Sequence, residues 1–207
     1  MIQVKICGLN DEAGFDAATG HGADWVGFVF FAKSPRAVTP ERAAVLSRRQ
    51  AGGPGRVGLF VQPEDDEIRR CLDRVPLDAL QIYAGAGRAA AIRARFGLPV
   101  WVACGVRTPA DLPGHARCDR MLIESLPPEG ASRPGGNATK LDWQMLAGWR
   151  APGPWMLAGG LDPSNVAEAI RITGAPAVDV SSGVESEPGR KDPNQIAAFL
   201  AAARVPD

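Results

Sequence analysis

The chain has 207 residues, 23 Lys and Arg against 23 Asp and Glu, and no formal net charge. That length suffices for one sizeable core and is short for two, so a single domain over 1–207 is expected. The charge balance excludes the electrostatic pull that draws basic chains to nucleic acid or anionic lipid. Four scattered cysteines, Cys7, Cys71, Cys104 and Cys118, have no CxxC spacing; this argues against a disulfide framework or zinc site and fits a reducing cytoplasm. The first residues hold no basic leader or long apolar run, so no secretory or membrane-spanning segment is expected.

Val4–Cys7 reads as a first strand, and Asn10 or Asp11 can cap a helix through about His21. Trp25–Phe31 is almost continuously apolar, as in a strand buried on both faces. The loop Lys33-Ser34-Pro35-Arg36 follows, and Thr39-Pro40 opens a second helix with proline at its first position. Val57–Val61 and Asp65–Arg74 form the third strand and helix, and Ala79–Tyr83 and Arg88–Phe96 the fourth. Val100–Ala103 is strand five. The span from Cys104 to Arg120 holds Pro109, Pro113 and Gly114, which leaves a truncated helical unit there. Met121–Ile123 is strand six, with Glu124 at its end. The loop Leu126–Thr139, with three prolines and three glycines, has the length of a functional lid. Asp142-Trp143 is expected to start helix six. Trp155–Ala158 is strand seven, ending in Gly159-Gly160, and Ala177–Val180 is strand eight, ending in Ser181-Ser182-Gly183; Asp192–Ala203 is the closing helix.

Strands alternating with helix-length segments argue for a parallel sheet with crossover helices. The glycine signals follow the last two strands, as in an eight-unit barrel. An open doubly wound sheet carries them after the first. The expected fold is therefore α/β, a single-domain (β/α)8 TIM barrel with a truncated fifth helical unit. Small residues let backbone N–H groups approach an anion, so Gly159, Gly160, Ser181, Ser182 and Gly183 are the expected phosphate cradle.

At this point the chain resembles the phosphoribosylanthranilate isomerase family of tryptophan biosynthesis. The resemblance runs nearly end to end: Lys5-Ile6-Cys7-Gly8, Gly27-Phe28-Val29-Phe30, Lys33-Ser34-Pro35-Arg36, Gly135-Gly136-Asn137, Asp142-Trp143, Leu157–Leu161 and Val178–Glu185. It implies an Amadori rearrangement of N-(5'-phosphoribosyl)anthranilate to an open-chain aminoketose phosphate, with no metal and no cofactor. A general acid opens the furanose, and a general base takes a proton from the neighbouring sugar carbon. By resemblance the base is Cys7. The acid is Glu124, where the family has Asp. Arg36 would pair with the anthranilate carboxylate, which suits a planar guanidinium fork. Asp179 either accepts from a sugar hydroxyl or holds its loop. The implied partner is a small phosphorylated substrate, with the chain a monomer or homodimer.

Besides Glu124, other positions depart from the family pattern: Tyr83 replaces a His, Ala84 a Gly, Leu126 a Lys and Ala138 a Gly. They leave two alternatives: a degenerate barrel that binds a phosphorylated ligand without turnover, and a barrel enzyme acting on a related phosphosugar.

Overall fold

The computed structural model describes residues 1–116, 118–126 and 141–204. Eight parallel strands close on themselves in sequence order: β1 (Gln3–Cys7), β2 (Trp25–Val29), β3 (Gly55–Val61), β4 (Ala79–Tyr83), β5 (Val100–Val106), β6 (Arg120–Ser125), β7 (Trp155–Leu157) and β8 (Ala177–Val180). β1 pairs with both β2 and β8, so no edge is left open. The fold is the (β/α)8 barrel the alternation implies.

Each helix has a local reason to start. Asp11 accepts from the Gly14 N–H at 2.7 Å and caps α1 (Glu12–Gly20). Thr39 caps α2 (Pro40–Ser47), whose first residue is the expected proline. α3 (Asp65–Leu72) and α4 (Ala86–Phe96) follow β3 and β4, and α5 (Val166–Thr173) joins β7 to β8. Asp192 caps α6 (Pro193–Ala202), which lays Ile196, Phe199 and Leu200 on the barrel.

The fifth unit is truncated as expected: one 3-10 turn, Pro109–Asp111, stands between β5 and β6. The sixth corrects the sequence reading. Asp142 does start a turn, but it is a single 3-10 turn, Trp143–Leu146, and not a helix. Gly148, at φ 76°, and the Pro152-Gly153 pair leave too little chain of helical propensity to propagate. Strand bounds also shift. β2 ends at Val29 instead of Phe31, while β5 runs on to Val106 and takes Cys104 into the ladder. A two-stranded hairpin, β9 (Glu185–Glu187) with β10 (Arg190–Lys191), follows β8 and was not anticipated. Most of the Leu126–Thr139 loop, with Gly135-Gly136-Asn137 and Ala138, lies outside the described residues.

Strand alternation sorts the side chains. Outward residues such as Val4, Ile6, Val26, Phe28, Leu80 and Ile82 pack beneath the helices. Each wholly buried Phe there contributes roughly 2–3 kcal/mol. Inward residues stack in layers. At the floor Val57, Ala79, Trp101, Leu122, Met156 and Ala177 meet Trp25. Trp25 and Trp101 contact edge to face at 5.1 Å, and the Arg120 guanidinium lies 4.5 Å above Trp25. At the mouth Cys7, Val29 and Leu59 pack with Phe31, Val61 and Tyr83. The C-terminal ends of the strands thus carry an apolar cluster with the Cys7 thiol and the Tyr83 phenol set into it.

Candidate active site

Lys5 points into the barrel one layer beneath Cys7. Its register partner on β8 is Asp179, and Nζ donates to Asp179 Oδ1 at 2.8 Å. Both are buried, Lys5 completely. Burial pulls the Lys5 ammonium down, but the Asp179 carboxylate and Cys7 outweigh it and hold its pKa above the ordinary value.

Cys7 ends β1, opposite Gly27 on β2. A Cβ at Gly27 would stand 2.9 Å from Cys7 Sγ and 3.2 Å from Lys5 Cε. The missing side chain is therefore the room in which thiol and ammonium meet. Burial pushes the thiol up, Lys5 pulls it back and Asp179 pushes again; the net pKa lies above the ordinary value. Cys71 and Cys104 are pushed to about 12 and about 11, mainly by burial. Arg70 opposes it at Cys71, and at Cys104 both neighbours, Cys118 and Glu124, add to the rise; Cys7 differs in having a buried lysine that both faces and hydrogen-bonds it.

Glu124 sits on β6, one residue from the strand end, and is 7% exposed. Burial raises its carboxyl from 4.5 to about 7; Asp179 adds to the rise, while a Tyr83 hydrogen bond and Lys5 restrain it. Tyr83 ends β4 where the resemblance puts a His. Burial and the Glu124 charge raise its phenol well above the ordinary value, so it is a hydroxyl donor to Glu124. Cys7 on β1 and Glu124 on β6 sense the same Lys5–Asp179 pair.

The two glycine-rich loops touch. Gly159 and Gly160 take left-handed φ of 83° and 68°, and the Gly160 carbonyl accepts from Asn165 Nδ2 at 3.1 Å. Gly183 lies on the neighbouring loop, where a Cβ would fall 1.8 Å from the Leu161 carbonyl oxygen. Ser182 and Gly183 open a 3-10 turn, so its internal bonding leaves their N–H groups unclaimed. Ser181 Oγ donates to the Cys7 carbonyl at 3.1 Å, tying this loop to the end of β1.

Arg36 is 4% exposed, and its fork is already engaged. Nε and Nη2 donate to Glu185 Oε1 and Oε2 at 2.6 and 2.8 Å. Lys191 Nζ reaches the same Glu185 carboxylate at 2.7 Å and the Ser181 carbonyl at 2.8 Å. Burial opposes ionisation of Glu185, but the two cations hold its carboxyl below the ordinary value. Sequence reasoning missed Lys191, and Glu185 entered only as part of a motif. The available signal was Pro188-Gly189, a turn dipeptide between two short polar runs, which is how a hairpin announces itself.

The structure therefore gathers Cys7, Glu124 and Asp179 about Lys5 and Tyr83, and sets Arg36 and the small-residue loops around them. Buried titratable groups gathered at the C-terminal ends of a closed parallel barrel fit the class of (β/α)8 barrel enzymes. The family model for N-(5'phosphoribosyl)anthranilate (PRA) isomerase matches residues 4–202. An N-(5'-phosphoribosyl)anthranilate isomerase of Acidiphilium cryptum is 57% identical over 206 residues, covering 99% of this chain and 100% of its own. One of Paramagnetospirillum magneticum is 53% identical, covering 98% and 97%. Among solved structures, phosphoribosyl anthranilate isomerase from Thermotoga maritima superposes with a TM-score of 0.84 at 34% identity, covering 99% of both chains. A phosphoribosyl anthranilate isomerase in complex with reduced 1-(o-carboxyphenylamino)-1-deoxyribulose 5-phosphate gives 0.82 at 31%, again covering 99% of both. The chain belongs to the N-(5'-phosphoribosyl)anthranilate isomerase family.

Proposed function

We propose that this chain isomerises N-(5'-phosphoribosyl)anthranilate by acid–base catalysis, with Glu124 as acid and Cys7 as base. The observation that carries the assignment is the carboxyl of Glu124, lifted to about 7 and sharing Lys5 and Asp179 with the thiol. A carboxyl with that pKa still holds its proton near neutrality, as an acid must.

The ligand of the solved relative has a carboxylate at one end, a phosphate at the other and a sugar chain between. Three parts of this mouth fit those groups. The N–H groups of Gly159, Gly160, Ser181, Ser182 and Gly183 tether the phosphate. Arg36 receives the carboxylate. Glu185 occupies one edge of the guanidinium, Nε and Nη2, and leaves the Nη1–Nη2 edge for a second carboxylate. The sugar then lies between Glu124 and Cys7.

The Glu124 carboxyl donates its proton to the ring oxygen. The bond from that oxygen to the anomeric carbon breaks, and the nitrogen lone pair forms the iminium. The Cys7 thiolate takes the proton from the adjacent carbon, and that electron pair makes the carbon–carbon double bond while the nitrogen regains its lone pair. The resulting enol tautomerises to the ketone. Lys5 supports the thiolate, and Asp179 keeps Lys5 charged beneath it. Because Cys7 lies above its ordinary pKa and Glu124 near 7, the reactive form has the acid protonated and the base ionised, a minority of the population at neutral pH.

The test is direct. Freshly made phosphoribosylanthranilate is fluorescent and dims as it is consumed. The parent chain should quench it catalytically, while Cys7→Ala should lose turnover yet still bind inorganic phosphate. Parent-like turnover in Cys7→Ala removes the thiol from the mechanism. A parent chain that binds phosphate without turnover leaves a binding protein.

A further inference from the structure

Arg36, Glu185 and Lys191 place two cations on one carboxylate, and the three side chains are 5%, 4% and 0% exposed. With both cations ionised, against the burial that lowers the Lys191 pKa, the group carries one positive charge more than the single carboxylate bonded to it among the described residues, an arrangement that is costly unless an anion completes it. The hairpin carrying Glu185 and Lys191 also touches three separate loops. Asn10, after β1, donates through Nδ2 to the Gly189 carbonyl at 2.9 Å. Gly189 lies against the loop after β2, where a Cβ would stand 2.4 Å from the Pro35 carbonyl oxygen, and its N–H donates to Glu185 Oε2 at 3.2 Å. Lys191 Nζ holds the Ser181 carbonyl at 2.8 Å, in the loop after β8.

We propose that Glu185 and Lys191 are positioning residues that fix the Arg36 fork at a set distance from the phosphate loop after β8. The hairpin is the rigid link between two anion receptors. It selects a substrate that is anionic at both ends, with a carboxylate and a phosphate at one separation, and the buried excess charge is completed when that carboxylate arrives. The inference rests on reading Arg36 as the carboxylate receptor. A guanidinium on a flexible three-carbon stem does not keep one orientation by itself; a bidentate carboxylate, itself held by Lys191 and the Gly189 N–H, supplies the constraint.

The experiment is a double-mutant cycle of Arg36→Ala and Glu185→Gln, read as KM and kcat for phosphoribosylanthranilate and as inhibition by inorganic phosphate. Glu185→Gln keeps the shape and removes the charge. It should raise KM by about tenfold with kcat within about twofold, and leave phosphate inhibition nearly unchanged. On the Arg36→Ala background the same substitution should change KM by less than about twofold, because its effect runs through the guanidinium. KM penalties that multiply in the double variant overturn the proposal, as does a fall in kcat at constant KM. If Arg36→Ala alone leaves KM unchanged, the reading of Arg36 itself has failed, and the single variant shows this before the cycle is closed. Glu185→Asp keeps the charge and draws the fork back by one methylene; it should also raise KM, with an unaltered melting curve. If neither Glu185 variant folds, the residue serves folding instead of positioning, and the proposal falls.

Discussion

Replacing Glu124 with Gln tests the desolvation of the site without any substrate. In the unfolded chain a Glu carboxyl titrates near its ordinary 4.5, and in the barrel at about 7. The folded state therefore binds the proton more tightly. Its stability is full at low pH, falls as pH rises between those two values and stays reduced above about 7. At roughly 1.4 kcal/mol per pKa unit, ionising this buried carboxylate costs the fold about 3 kcal/mol at pH 8.5. Glu124→Gln removes the titration and nearly keeps the volume. Its amide has hydrogen-bonding needs of its own, but these do not vary with pH, so the informative quantity is the change in the gap between variant and parent. Urea unfolding at pH 5 and pH 8.5 should show the variant gaining about 2–3 kcal/mol on the parent across that interval. In a chain of this length that corresponds to roughly 5–10 °C in melting temperature. A gap equal at the two pH values would mean that Glu124 titrates as an ordinary exposed carboxylate. The case for it as a neutral-pH acid would then be lost.

The remaining predictions use the same geometry. Tyr83→Phe removes a hydrogen bond that favours the ionised form of Glu124, so the carboxyl should titrate higher and the acidic limb of kcat/KM should move to higher pH; a limb that stays in place detaches Tyr83 from the acid. With the acid titrating below the base, that limb near pH 7 belongs to Glu124, although it looks like a base ionising, and it should persist in Cys7→Ser if any activity is left. Gly183→Ala forces a methyl group onto the Leu161 carbonyl, so phosphate affinity should drop by about tenfold or more while the barrel still melts cooperatively; unchanged phosphate inhibition would show that the two loops do not act as one cradle. Lys5→Met leaves Asp179 buried without its partner and should cost about 3–5 kcal/mol in urea unfolding, with Lys5→Met/Asp179→Asn recovering part of the loss; a double variant that loses the sum of the Lys5→Met and Asp179→Asn penalties would mean that the pair is not coupled.

What the chain discloses before folding follows from range. Strand and helix signals are local, so the alternation, Thr39-Pro40, the Asp192 cap and the glycine turns after β7 and β8 could all be read in order, and the truncation after β5 announced itself through Pro109 and Pro113. The missing sixth helix was misjudged because Asp142 gives a valid start signal, whereas the stop at Gly148 acts too soon for a helix to nucleate. The site is less local. Cys7 and Glu124 enter through the family resemblance, and strand ends of a barrel face one mouth whatever their separation along the chain, which is how residues so far apart come to share neighbours. Lys191 was missed. It lies at the root of the closing helix, where a lysine ordinarily reads as a solvated side chain. Only three-dimensional closure buries it between Glu185 and the Ser181 carbonyl. The same closure changes the meaning of Arg36: alone in its loop it reads as a guanidinium with a free fork, but in the barrel one edge already belongs to Glu185. On the proposed reading of Arg36, substrate recognition depends on which edge the protein has left unclaimed, a property of the folded chain that no single residue type announces.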